Sequence, residues 1–217
     1  MQSAVGMLEV EKRVKKIEGL RDKNKLEQYE HCKSVPVVIG PNDPSGAPRF
    51  YVTDHHHLAR ALLDAGESAT ECTIKDSQST LSEPAFWDLM TNNKWVWLFD
   101  AQGSPLTWRQ LPKSLRELQN DPYRSLAGAV KNHNGFCKPP GDFGEFQWAN
   151  FFRGHGADGK PPGPVATKDE IENNLNKAAK LAAHLAHSDA AEGLPGYWKD
   201  RPPPQCEPTP PPGCEND

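Results

Sequence analysis

Asp54, His55, His56 and His57, with Arg60 on the next turn, bring a carboxylate, three imidazoles and a guanidinium into one short stretch. Imidazole switches between proton acceptor and cation near neutral pH. A carboxylate can hold magnesium, and guanidinium matches the geometry of a phosphate. The chemistry this set suits is therefore the handling of an anion, a phosphate ester above all. Successive residues of a helix are rotated by roughly 100°, so at most two of the three histidines can face one point.

The flanking residues must position that stretch. Arg49-Phe50-Tyr51-Val52-Thr53 is aromatic and β-branched, as a strand is, whereas Leu58, Ala59, Ala61, Leu62 and Leu63 have helical spacing and stop before Gly66. Asp54 then reads as the N-cap and Gly66 as the C-terminal stop. A helix start offers unpaired N–H groups and partial positive charge, which adds to the case for an anion.

Elsewhere the pattern is α+β. Val5 to Leu20 reads as an amphipathic helix, Lys23 to Lys33 as a second, and Val35 to Ile39 as a strand. A turn-rich loop from Gly40 to Pro48 follows, and Glu71 to Lys75 reads as a third strand. From Ser82 the chain becomes helical and aromatic. Helices are expected after Ser82, over Ser114 to Leu118 and over Pro122 to Lys131, with another packed element around Phe146 to Phe152. The Trp87 to Trp108 aromatics read as hydrophobic core before they read as a wall for stacking bases. Thr167 and Glu170 form a capping box opening a single helix to His187. His184 and His187 share a helix face, but without a third ligand they do not make a metal site.

At 217 residues and a formal charge of −4, the chain is no strongly basic nucleic-acid coat; duplex binding would need a local patch. It has no long apolar run and no secretory leader at Met1 to Val10, so a cytoplasmic protein without a membrane span is expected. Cys32, Cys72, Cys137, Cys206 and Cys214 lack metal-site spacing, and an odd, scattered set is expected as free thiols in a reducing cytosol, although Cys206 and Cys214 could be crosslinked in an oxidising compartment. The proline-rich tail reads as extended, a segment for a partner to engage.

The segments Gly6 to Val10 with Lys12, Val35 to Ile39, Tyr51 to Leu62 and Asp121-Pro122-Tyr123-Arg124-Ser125-Leu126-Ala127-Gly128-Ala129-Val130 together resemble the ParB-like nuclease family of the ParB/sulfiredoxin superfamily, over roughly Val5 to Arg153. The resemblance implies a small mixed sheet with helices, the motif strand ending at a helix N-terminus that receives a nucleotide's phosphates. With the change of character at Ser82 and the prolines of the tail, the chain is expected to divide into a ParB/sulfiredoxin-like core at 1–80, a helical aromatic-rich extension at 81–193 and the tail at 194–217. Superfamily members include CTP-dependent partition clamps, ATP-dependent sulfiredoxins and free-serine kinases. The kinases carry Asp-Gly-His-His-Arg at the junction. Asp54 thus matches the acidic residue, His56 and His57 the paired histidines, and Glu9 the upstream catalytic glutamate. His55 stands in place of the glycine and Leu58 in place of the arginine, whose part falls to Arg60 or Arg124; the sulfiredoxin cysteine is absent.

The expectation is a nucleotide-dependent phosphotransferase using ATP or ADP, with CTP an alternative, and a small hydroxyl acceptor. Asp54 aids magnesium or merely caps the helix, and His56 or His57 steadies the transferred group. Glu9 is the general base or a solvated glutamate, and Lys12, His55, Arg60, Arg124 and Ser125 are the phosphate contacts. A metal-dependent nuclease and a non-enzymatic nucleotide-binding module are the alternatives.

Overall fold

The computed structural model describes residues 1–137, 143–154 and 166–199. The glycine-rich stretch after Gly154 and the tail from residue 200, with Cys206 and Cys214, lie outside the described residues. Two compact units divide the chain. The first takes Met1–Val5 and Val10–Gln119, the second Gly6–Glu9 and everything from Asn120. The boundary thus falls at residue 119, not near residue 80 as expected, because Phe86, Trp87 and Met90 share a buried cluster with Val38 of the sheet.

The first unit opens with β1 (Ala4–Val5) and α1 (Met7–Asp22), whose first turn belongs to the second unit. Helix α1 runs through Gly19, beyond the expected end, and is followed by α2 (Leu26–Cys32). A three-stranded sheet comes next. β2 (Val35–Gly40) is its centre, antiparallel to β3 (Arg49–Val52) with Val37 opposite Val52 and Gly40 opposite Arg49. From the end of β3, α3 (His56–Asp64) leads to β4 (Cys72–Ser77), which lies parallel to β2 on its other side. The mixed sheet follows from residue type: Val35, Val37 and Val38 are buried, as central-strand positions require, and the β3 side chains are only partly covered.

The loop before β3 is fixed by Asp43, whose carboxylate accepts from the backbone of Ser45 at 2.8 Å and of Ala47 at 3.0 Å. α4 (Glu83–Asn92) then covers the sheet, and short 3₁₀ turns at Trp108–Gln110 and Leu115–Glu117 precede β5 (Gln119–Asn120), the partner of β1.

In the second unit, α5 (Pro122–Asn132) is buried along most of its length and shares a buried cluster with α6 (Gly144–Gly154) through Leu126, Val130, Trp148 and Phe152. The helix expected from Thr167 to His187 is two helices, α7 (Lys168–Asn173) and α8 (Leu175–Ala186). The capping box at Thr167 forms as expected, but Asn174 leaves helical geometry (φ −152°, ψ 71°), and its side chain accepts from Lys177 N–H at 3.2 Å to cap α8.

Cys32 and Cys137 are each disulfide-bonded, where free thiols were expected, and Cys72 is free and exposed. Disulfides persist in oxidising surroundings, so the thiol argument for a reducing cytoplasm loses its footing. No helix among the described residues is long and apolar enough to cross a membrane.

Candidate functional site

The residues expected to act together divide between the units. Lys12, Asp54, His55, His56, His57 and Arg60 belong to the first, and Glu9, Arg124 and Ser125 to the second. Each set has its own geometry.

In the first unit the strand-to-helix turn lies where the sequence puts it. Thr53, fully buried, ends the strand by donating its N–H to Pro36 O at 2.9 Å. The cap is not Asp54, however. His55 is the N-cap residue, in the left-handed region at φ 58°, and no side chain caps the helix. Asp54 is exposed, and its Oδ1 accepts the His55 N–H at 2.7 Å. The kinase-like pattern has glycine at this position, the residue that enters positive φ without steric cost. Histidine holds it here through its ring, as Nδ1 donates to Ser34 O at 3.0 Å. That contact turns His55 toward the main chain, where a phosphate contact was expected.

His56 and His57 are both buried, so two of the three histidines enter the fold. His56 is 3% exposed, and its Nε2 is buried with no hydrogen-bond partner. Burial holds its pKa well below the ordinary value, helped by the chain's amino terminus and by His57, while the Val52 backbone opposes the shift. A neutral imidazole has one bare nitrogen, and in the tautomer protonated at Nδ1 that nitrogen is Nε2. That nitrogen is a proton acceptor. His56 borders a hollow of about 80 Å³ whose walls include Phe50, Val52, Lys113 and Leu115.

Arg60 is engaged elsewhere. Its Nε donates to Asp64 at 2.7 Å, and its Nη1 to the carbonyls of Leu115 and Arg116 at 3.1 and 3.2 Å. It ties α3 to the turn over Leu115–Glu117, where a phosphate clamp was expected. Lys12 is an exposed residue of α1.

A larger cavity of about 580 Å³ opens in the same unit, lined by Arg49, Phe50, Trp87, Trp108, Arg109 and Lys113 among others. Phe50 and Lys113 border both this cavity and the hollow beside His56. Composition gave no sign of this local basic cluster, because the chain as a whole is acidic.

In the second unit Arg124 is 7% exposed and held between two carboxylates, Glu9 at 3.2 Å and Glu145 at 3.0 Å; Lys131 takes the other oxygen of Glu145 at 3.0 Å. Gly128 makes room for this, since a Cβ there would lie 3.0 Å from Glu9 Oε2. Glu9 therefore meets a guanidinium instead of standing ready as a base, and Arg124 is already neutralised. Both observations run against the roles expected of them. The Ser125 hydroxyl is buried without a hydrogen-bond partner, and Gly6 lies so close that a Cβ would sit 2.6 Å from it. Asp121 caps α5, accepting from Tyr123 and Arg124 N–H at 3.0 and 3.2 Å, and receives Arg153 at 2.7 Å. Burial pushes its carboxyl up, against the pull of Arg153.

The sequence missed Glu145, Lys131 and Arg153 because nothing local marks them. Among the described residues no group of three His, Cys, Asp or Glu side chains is placed to hold a metal.

A family model described as "Putative ParB-like nuclease" matches residues 1–154. The crystal structure of protein Atu1540 from Agrobacterium tumefaciens is similar to this chain, with a TM-score of 0.73 and 32% identity over 92% of this chain and 93% of that one. Comparison with curated proteins finds no match.

Proposed function

Since the chain belongs to the ParB-like nuclease family, we propose that its first unit carries out phosphoryl transfer from a nucleotide to a small hydroxyl compound, with His56 as the proton acceptor. The observation that carries this reading is the unpartnered, buried Nε2 of a neutral imidazole beside a hollow of about 80 Å³. Burying a polar atom without a partner is costly, and a ligand hydroxyl donating to it would remove the cost.

In the proposed step Nε2 of His56 takes the proton of the acceptor hydroxyl. The oxygen bonds to the terminal phosphorus of ATP, the bridging P–O bond breaks, and ADP departs with the electron pair. The start of α3 and Lys113 supply positive charge for the phosphate oxygens. The base thus moves from Glu9, which is ion-paired, to His56. Asp54 is the exposed carboxylate that would hold magnesium, which neutralises phosphate charge when bound. One carboxylate with nucleotide oxygens and waters satisfies that ion, so the donor set fits.

Calorimetric titration with ATP, ADP and CTP in the presence of magnesium, followed by ADP release with a panel of small alcohols, tests the reading. Turnover should fall about 100-fold or more in His56→Gln, the usual range for losing a general base. A protein that binds none of the three nucleotides ends the proposal.

The basic and aromatic cavity favours a second reading, a nuclease in which water replaces the alcohol. Cleavage of single-stranded oligonucleotides without phosphoryl transfer would select it. The size of the hollow beside Nε2 supports the first.

A further inference from the structure

We propose that the cavity of about 580 Å³ in the first unit is a binding site for a nucleoside phosphate, with the base stacked on aromatic rings and the phosphate on Lys113. It rests on the reading above for one point alone, the direction in which the phosphate lies.

Planar groups are already ranked in this cavity. Trp108 lies against Trp87 with ring centroids 5.5 Å apart and planes 13° from parallel, and the guanidinium carbon of Arg109 sits 4.0 Å from the Trp108 ring centroid. Phe50 is 59% exposed, one of the most exposed large apolar residues described. A base is planar and has a π-face, so it can cover Phe50 or extend the stack, and stacking of this kind tolerates any base.

Charge points the same way. Arg49, Arg109 and Lys113 line the cavity with Glu83 as the acidic counterpart, 3.7 Å from Arg49 and itself half-exposed. Arg109 and Lys113 form no ion pair with any described residue. A cavity basic in this way, within a chain of formal charge −4, is built for an anion, and the aromatic walls make it an aromatic anion. The volume suits one nucleotide and is too small for a folded partner. Because Phe50 and Lys113 also border the hollow at His56, a base held on Phe50 leaves its phosphate facing that imidazole. The ligand is either a free nucleotide or one unit of a single strand, and the chemistry of recognition is the same.

The test is quenching of tryptophan fluorescence in the full chain, titrated with AMP, ATP, ribose 5-phosphate and a short oligothymidylate. Nucleotide should quench, and ribose 5-phosphate should bind at least about tenfold more weakly for want of a base. Phe50→Ala and Lys113→Glu, both at exposed side chains, should each weaken nucleotide binding by about tenfold, with rising salt weakening it further. A strand bound more tightly than AMP assigns the site to nucleic acid, and equal affinity assigns it to free nucleotide; either supports the site. Equal binding of ribose 5-phosphate and AMP overturns it, as does affinity within about twofold of wild type in both variants or no quenching by any ligand. His56→Gln keeps the two proposals apart. Binding without phosphoryl transfer in the wild type removes the transferase reading alone. Transfer that is lost in His56→Gln but unaffected by Phe50→Ala and Lys113→Glu removes this site alone.

Discussion

Nη1 of Arg124 lies 3.2 Å from Oε2 of Glu9, on a helix more than a hundred residues along the chain, while its Nη2 reaches Glu145 at 3.0 Å. A guanidinium that is 7% exposed needs both carboxylates, and they need it. Arg124→Ala should therefore cost about 3 kcal/mol, near the low end for a pair that loses one partner because Glu9 and Glu145 retain some solvent. Urea unfolding measures it. A variant as stable as the parent would show that the pair is ornamental.

Gly6 allows the close approach of α5. A Cβ at this position would stand 2.6 Å from Ser125 Oγ and 2.8 Å from Ser125 N. Gly6→Ala should destabilise by about 1–3 kcal/mol, the usual range for overpacking. Adding Ser125→Ala should restore little of the loss, since the backbone nitrogen stays in the way. Full rescue by the double variant would mean that the hydroxyl alone sets the limit.

At position 55 two effects compete. The left-handed φ of 58° disfavours any side chain, whereas the ring's bond to Ser34 O favours histidine. His55→Ala keeps the strain and loses the bond, and His55→Gly loses both. Alanine should consequently be the less stable of the two by about 1 kcal/mol. Thermal melts of the pair decide this, and the reverse order would contradict the assigned backbone conformation.

Burial lowers the His56 pKa, so between the folded and unfolded values the unfolded chain binds the additional proton. The stability this residue allows is complete above the unfolded pKa of about 6.5 and declines as pH falls below it, by up to about 1.4 kcal/mol per pH unit. In His56→Leu that component of the slope should vanish between pH 6.5 and 5. Urea midpoints across this range for both proteins make the comparison, and parallel curves would contradict a neutral buried ring.

Among the described residues Cys72 should be the thiol that reacts. Alkylation of the unfolded, unreduced protein followed by peptide mapping should mark Cys72 and leave Cys32 and Cys137 unmodified until a reductant is added. Labelling of Cys32 before reduction would restore the free-thiol expectation.

Residues 49 to 66 show how far the sequence reaches. β-branched and aromatic residues made a strand and leucine spacing made a helix, because both signals depend on which neighbours in the chain share a face. The capping box at Thr167 was legible for the same reason. Asn174 was not. Its break between α7 and α8 interrupts an apolar pattern that continues across it, and a side-chain cap won over propensity.

The sequence by itself determined the element types, the turn at residues 53–56 and the crowding of imidazoles there, all consequences of short-range geometry. Only the tertiary structure decided which imidazole keeps a vacant nitrogen. It also decided that Arg60 and Arg124 are occupied by carbonyls and carboxylates, and that an acidic chain gathers Arg49, Arg109 and Lys113 around one aromatic cavity. Charge and hydrogen-bond partners come from residues tens of positions apart. No local pattern encodes which of them meet, because each pairing is settled by the packing of whole elements.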